Sequence, residues 1–153
     1  MDDHNYFIQH TLKDKHRTQL LSLFKEHFWL KTRTLKDIEV MEKTCLILAL
    51  IERDTDNLVG FTRVLTDQVK YAYIHDVLVK TELQGKGLGR LLIETAINHP
   101  TLREIVCFEL LCLPDKLPFY KKFNFDENPD MLALRFDRRK FVTSHEEAKH
   151  QSV

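Results

Sequence analysis

Apolar residues along this chain fall into strand-like runs and helix-like spacings, and the two kinds succeed one another in a definite order. Tyr6 to His10 reads as a short first strand. Between Lys15 and Trp29, residues Leu20, Leu21, Leu23, Phe24, Phe28 and Trp29 recur at the three-to-four spacing of one helix face. Thr34 stands where an N-cap belongs, ahead of Leu35, Ile38, Met41 and Glu42, and predicts a second helix. Cys45 to Ile51 is an unbroken apolar run, too short for most helices and long enough for a buried strand. Asp54-Thr55-Asp56-Asn57 is turn chemistry, which makes Leu58 to Thr66 the return strand of a hairpin. A further turn at Asp67-Gln68 leads into a third long strand, Val69 to Val79.

Beyond Val79 the pattern changes. Gln84 to Gly89 gathers three of the chain's four glycines. Leu88, Leu91, Leu92, Thr95 and Ala96 then follow at helical spacing as far as His99-Pro100, where the proline stops the helix. Glu104 to Cys112 reads as a strand, Leu117 to Phe123 as a short helix, and Phe125 and Met131 to Phe136 as closing strands. The strand–helix–strand order from Val69 to Cys112 requires a crossover between parallel strands, whereas the meander before it is antiparallel. The expected fold class is therefore α/β: a single domain with a mixed, mostly antiparallel twisted sheet flanked by helices. It spans residues 1–136, and the polar stretch 137–153 is expected to form a flexible tail. There is no internal repeat, low-complexity tract or linker.

Composition narrows the classes. A chain of 153 residues suits one domain. Its 23 basic and 23 acidic side chains cancel, which gives no support to nucleic-acid binding by bulk charge. The short run Arg138-Arg139-Lys140 could form a basic patch, but acids border it and no nucleic acid is expected as a partner. Cys45, Cys107 and Cys112 are odd in number, lack metal-site spacing and sit in strand-like runs. They read as buried reduced thiols, and no metal is expected. The N-terminal segment has acids first and no apolar core, unlike a signal peptide. No run of about 18 apolar residues exists, so no membrane span is expected. The expected compartment is reducing and cytoplasmic, with the nucleus left open.

The richest chemistry lies between Val77 and Arg90. An apolar strand end, Val77-Leu78-Val79, runs into Gln84-Gly85-Lys86-Gly87-Leu88-Gly89-Arg90 at a helix start. The first turn of a helix leaves backbone N–H groups unpaired, and the helix dipole adds partial positive charge there. Glycines let that backbone approach a phosphate closely, while Lys86 and Arg90 add formal charge. A pyrophosphate is the natural ligand. The P-loop is rejected, because Gly85-Lys86 is followed by Gly87 instead of Ser or Thr. The dinucleotide fingerprint is rejected too: Arg90 or Leu92 stands where its last glycine should be. A glycine-rich turn that merely joins strand to helix is the plain alternative.

The loop matches in full the Gln/Arg-x-x-Gly-x-Gly/Ala loop of the GCN5-related N-acetyltransferase (GNAT) superfamily, which the chain also resembles in Phe119-Tyr120-Lys121-Lys122-Phe123-Asn124-Phe125. There Asn124 replaces the usual glycine, a mild departure because asparagine tolerates a left-handed backbone. The resemblance covers about Leu46 to Phe136. It implies acetyl-CoA as co-substrate, with no metal, and transfer of its acetyl group to a primary amine by direct attack. It further implies that the backbone of Val77, Leu78 and Val79 holds the pantetheine and polarises the thioester, and that the loop from Gln84 to Arg90, including Leu88, holds the pyrophosphate. Tyr120 matches the superfamily's general acid, against the alternative of a packing tyrosine.

For the base, His75 and Asp76 on the strand into the site compete with each other and with a water chain. Strict alternation puts Tyr73, His75 and Val77 on one face and Asp76 on the other, unless a bulge intervenes. Phe28, Trp29 and Arg33, with Phe24, lie where relatives place a substrate-covering segment, and Tyr73 joins them as a candidate acceptor contact; the alternative is that the aromatics are core. A small amine, an amino sugar, an amino acid and a protein lysine all remain open as acceptor. A CoA-binding module without catalysis is the competing function class. A homodimer is expected by analogy with the superfamily alone.

Overall fold

The computed structural model describes residues 5–128 and 130–137. Five strands form one sheet: β1 Tyr6–Gln9, β2 Leu46–Glu52, β3 Asn57–Thr66, β4 Tyr71–Val79 and β5 Cys107–Leu110. They lie side by side in chain order. The first three pairings are antiparallel and β4 with β5 is parallel, as the order of elements predicts. Helices α1 Asp14–Lys25 and α2 Leu35–Thr44 follow β1, α3 Leu88–Ile97 bridges β4 to β5, and α4 Leu117–Tyr120 follows β5.

The helices divide between the faces of the sheet, and the buried strands show it residue by residue. Leu20, Leu23 and Phe24 of α1 and Ile38 and Met41 of α2 pack on Ile47, Ala49, Ile51, Leu58 and Phe61. Leu88, Leu92, Ile93 and Ala96 of α3 pack with Leu48, Leu50, Val59, Val64, Ala72 and Ile74 on the other face. β2 thus sends odd residues one way and even residues the other, which explains its unbroken apolar run. Thr34 caps α2 in a full capping box, its hydroxyl accepting from the Asp37 N–H while Asp37 accepts from the Thr34 N–H.

Four expectations need correction. The first helix ends at Lys25 instead of reaching Trp29; a string of three-residue turns follows, with His27 N–H donating to Phe24 O, Leu30 to His27 O and Arg33 to Leu30 O. Leu30 is the buried anchor of that segment while Phe28 is exposed, and a step of six from Phe24 to Leu30 does not fit a continuing helix face. The fifth strand is shorter than the run Glu104 to Cys112. It pairs with β4 only from Tyr71↔Cys107 to Ile74↔Leu110, and without a partner a strand has no ladder to extend. Phe125 and Met131 to Phe136 are not strands. Met131, Leu132 and Leu134 are exposed, and despite their strand-like composition no strand follows β5 among the described residues. Finally, the thiols are free but not buried: Cys45 and Cys107 are half-buried and Cys112 is exposed, beyond the end of β5. The expected flexible tail lies, from residue 138 onward, outside the described residues. Among the described residues no helix is long and apolar enough to cross a membrane.

Candidate active site

The site is organised by an irregularity in β4. Along β3 the register steps from Phe61 to Arg63, while along β4 it steps from Leu78 to His75. One extra residue is therefore accommodated between them, and Asp76 takes a left-handed φ of 56°. Such a bulge breaks the two-residue alternation. Ala72 and Ile74 point to the α3 face, yet Leu78, of the same parity, packs on the α1/α2 face, while Val77 and Val79 now pack toward α3. The bulge proviso applies: Val77 does not share a face with His75. Asp and Asn are among the few side chains that tolerate this backbone region, which accounts locally for an aspartate at the bend.

The bend also parts β4 from β5. Pairing stops at Ile74↔Leu110, and among the described residues β4 continues to Val79 with β3 as its only strand neighbour. Val77, Leu78 and Val79 therefore run beside an opening. The glycine loop closes one end of it. Gln84 folds back, its side-chain amide donating to Val79 O at 3.1 Å. Gly85 and Gly87 have φ of 76° and 81°, and Gly87 is the N-cap of α3. No side chain caps α3, and its ladder begins with Leu91 N–H to Gly87 O at 3.0 Å. The N–H groups of Leu88, Gly89 and Arg90 thus face outward at a positive helix end. No atom lies within 4 Å of the place where a Gly85 side chain would begin. Lys86 is exposed, whereas the Arg90 guanidinium pairs with Glu94 at 2.8 Å.

Tyr120 comes from α4, which leans on the same helix start: a side chain at Gly89 would meet Phe119 Cζ at 3.4 Å. The Tyr120 ring is buried, edge-on to Phe119 and Phe125 at centroid distances of 4.9 and 6.2 Å. Its hydroxyl has no hydrogen-bond partner among the described residues. Burial, with the neighbouring Cys112 thiol, pushes the phenol up to about 12, so it holds its proton throughout the physiological range. Asn124 adopts the left-handed φ of 62° that the glycine substitution requires.

On the opposite side of the sheet the two base candidates are brought together and separated in role. Asp76 accepts from Arg63 Nε at 2.6 Å, with side-chain exposures of 12% for Arg63 and 8% for Asp76. Arg63 Nη1 also donates to Cys45 Sγ at 3.5 Å. Burial disfavours the Arg63 charge, but Asp76 outweighs it and the guanidinium is held above its ordinary range. His75 carries no such clamp on its ring; its carbonyl accepts from the buried Thr62 hydroxyl at 2.9 Å, which holds the strand. Burial lowers its proton affinity, and Arg63 and Arg33 lower it further against the opposing pull of Asp76. The imidazole is neutral near pH 7. Tyr73 stacks on it at 5.6 Å, and the Glu109 carboxylate, followed by burial, pushes the Tyr73 phenol upward.

Of the acceptor-side candidates, Arg33 is near enough to act on His75, and exposed Phe28 and Trp29 lie against one another at 4.9 Å in the preceding turns. His27, between them and α1, was not anticipated. Its Nε2 is buried without a partner among the described residues, and burial lowers its proton affinity while Glu26 and then Asp76 oppose. Arg63 and Glu109 were also missed. Arg63 left a signal: an arginine inside the apolar run Gly60-Phe61-Thr62-Arg63-Val64-Leu65 demands a buried partner.

Comparison with known proteins agrees with this geometry. The profile of the Acetyltransferase (GNAT) family matches residues 9–125. The chain belongs to that family. The GNAT relatives include an uncharacterized N-acetyltransferase, ycf52, of Pyropia yezoensis, 36% identical over 67% of this chain and 60% of the relative. GCN5-related N-acetyltransferase 1, chloroplastic, of Arabidopsis thaliana is 27% identical over 92% of this chain and 73% of its own. The chain thus spans about three-fifths of the algal relative's length. Among solved structures, a protein assigned to the GNAT family from Xanthomonas campestris superposes with a TM-score of 0.74 at 24% identity, covering 86% of this chain and 93% of that one, which confirms the fold.

Proposed function

We propose that this GNAT-family chain transfers the acetyl group of acetyl-CoA to a primary amine. The observation that carries the reading is the joining of two open features at one place: the half of β4 that β5 leaves open on one edge and the start of α3 that no side chain caps. The first suits an extended pantetheine arm, which would pair with strand backbone at Val77, Leu78 and Val79. The second suits a pyrophosphate at Gly85 to Arg90. When bound, acetyl-CoA supplies an acetyl group activated as a thioester. His75 is the proton acceptor for the amine, because it is neutral at pH 7 and not tied up as Asp76 is. A backbone N–H at the β4 bend polarises the carbonyl. Tyr120 serves chiefly as a hydrogen-bond donor to the leaving sulfur: a phenol near 12 gives a proton to an ordinary thiolate only uphill. The acceptor enters from the α1/α2 side, past Phe28, Trp29, Arg33 and Tyr73.

The test is a thermal-shift titration with acetyl-CoA, CoA, NAD and ATP, followed by a panel of amines scored by thiol release. Acetyl-CoA at about 100 times its Kd stabilises by about 2.7 kcal/mol, a rise of several degrees for a domain of this size. No shift at saturation sinks the reading. Binding without turnover on any amine would leave a CoA-binding module. Once an acceptor is found, His75→Gln should lower kcat about 100-fold or more; an unchanged rate hands the base role to water. We also propose a cytoplasmic location, on the three free thiols. The plastid is the rival that relatives named as chloroplastic raise, and imaging a fluorescent fusion of the native gene product separates the two.

A further inference from the structure

The bulge holds two ionisable side chains side by side, and one residue from a neighbouring strand decides between them. We propose that Arg63 is a positioning residue of the transfer reaction: by clamping the Asp76 carboxylate in the bend, it withdraws that carboxylate from proton transfer and leaves His75 as the neutral acceptor. The inference rests on the reading of His75 as base.

The geometry is specific. Arg63 sits opposite His75 in the β3–β4 register, so its guanidinium emerges next to the imidazole's strand position. It does not extend to solvent; it bends to Asp76 at 2.6 Å and to Cys45 at the end of α2 at 3.5 Å. Both members of the ion pair are nearly buried, where losing one partner leaves the other as an uncompensated charge. The Asp76 carboxylate is therefore engaged by the guanidinium in the bend. A carboxylate in that state still acts on its neighbour through its field.

The charged and titratable groups facing His75 are few. Arg63 comes from β3, Asp76 from β4 itself, and Arg33 from the turns between α1 and α2, with Tyr73 stacked on the ring. Glu109 of β5 stands beyond Tyr73, His27 is coupled to Asp76 from the end of α1, and the Cys45 thiol is bonded to Arg63. Two positive groups act against one negative group, and the negative group is itself engaged. Burial lowers the proton affinity of the imidazole most, and that imbalance lowers it further where an amine must lose its proton.

The experiment reads the His75 ring directly and needs no acceptor. The imidazole carbon resonance, assigned by its loss in His75→Gln, is titrated by NMR in the full chain and in Arg63→Gln, Arg63→Lys and Asp76→Asn. Arg63→Gln should raise the titration midpoint, since a cation is lost and Asp76 is freed. Asp76→Asn should lower it, since the anion that opposes Arg63 and Arg33 is lost. Arg63→Lys, which keeps the charge, should stay near the parent. Mere loosening of the site would expose the ring in both neutral variants and raise both midpoints, so opposite signs are the diagnostic. A midpoint that rises in Asp76→Asn, or that does not rise in folded Arg63→Gln, overturns the proposal. If Arg63→Gln does not fold, the fall in Asp76→Asn with no change in Arg63→Lys decides it alone. Failure here with His75→Gln still inactive removes only Arg63 from the account, whereas full turnover by His75→Gln removes the base reading whatever the titrations show.

Discussion

The starts of α2 and α3 are built in opposite ways. At α2, Thr34 and Asp37 satisfy each other's backbone donors, and Asp37 is held well below the usual carboxylate range by the Thr34 backbone and side-chain bonds. At α3, Gly87 offers no side chain, its φ of 81° turns the chain sharply, and the donors of the first turn point outward. A helix that only has to fold closes its end with its own residues. A helix that binds an anion leaves the end open and lets the ligand complete it. The same contrast runs through β4, whose first half is paired on both edges and whose second half is paired on one.

Substitutions that exchange the two designs should separate folding from binding. The largest effect is expected at the open end. Gly87→Asp puts a carboxylate against the phosphate position and should abolish acetyl-CoA binding by calorimetry in a protein that still folds; ordinary affinity in that variant would show that the pyrophosphate lies elsewhere. Next comes the far wall of the same opening. Tyr120→Phe removes the phenolic hydroxyl and keeps the buried ring, so kcat should fall about 100-fold while acetyl-CoA affinity holds; an equal loss of affinity would make Tyr120 a packing residue. The smallest effect belongs to the closed end. Thr34→Ala should cost about 1 kcal/mol in urea unfolding and leave acetyl-CoA affinity unchanged. A loss of affinity there would mean that α2 communicates with the cofactor half.

The acceptor half was far less legible than the cofactor half, and particular residues show why. Gln84 to Arg90 is contiguous, and its work is done by backbone atoms that any reader of glycine spacing can locate. His75, Asp76, Arg63, Arg33 and His27 come from β4, β3 and the turns after α1, and their relations are set by side chains meeting across the sheet. Alternation placed His75 and Asp76 on opposite faces; one inserted residue cancelled that rule. The exposed run from Met131 to Leu134 shows the converse: its composition favours a strand, and among the described residues no strand pairs with it.

From sequence alone, the order of strands and helices as far as β5, the parallel crossover and the glycine loop at a helix start were determined, because each depends on periodicity or on a glycine backbone confined to a few consecutive residues. The tertiary structure decided which of two adjacent ionisable residues is tied into an ion pair. That pairing is a 2.6 Å contact between residues thirteen apart in the chain, both nearly buried, while burial first and the two arginines next lower the proton affinity of the neighbouring imidazole.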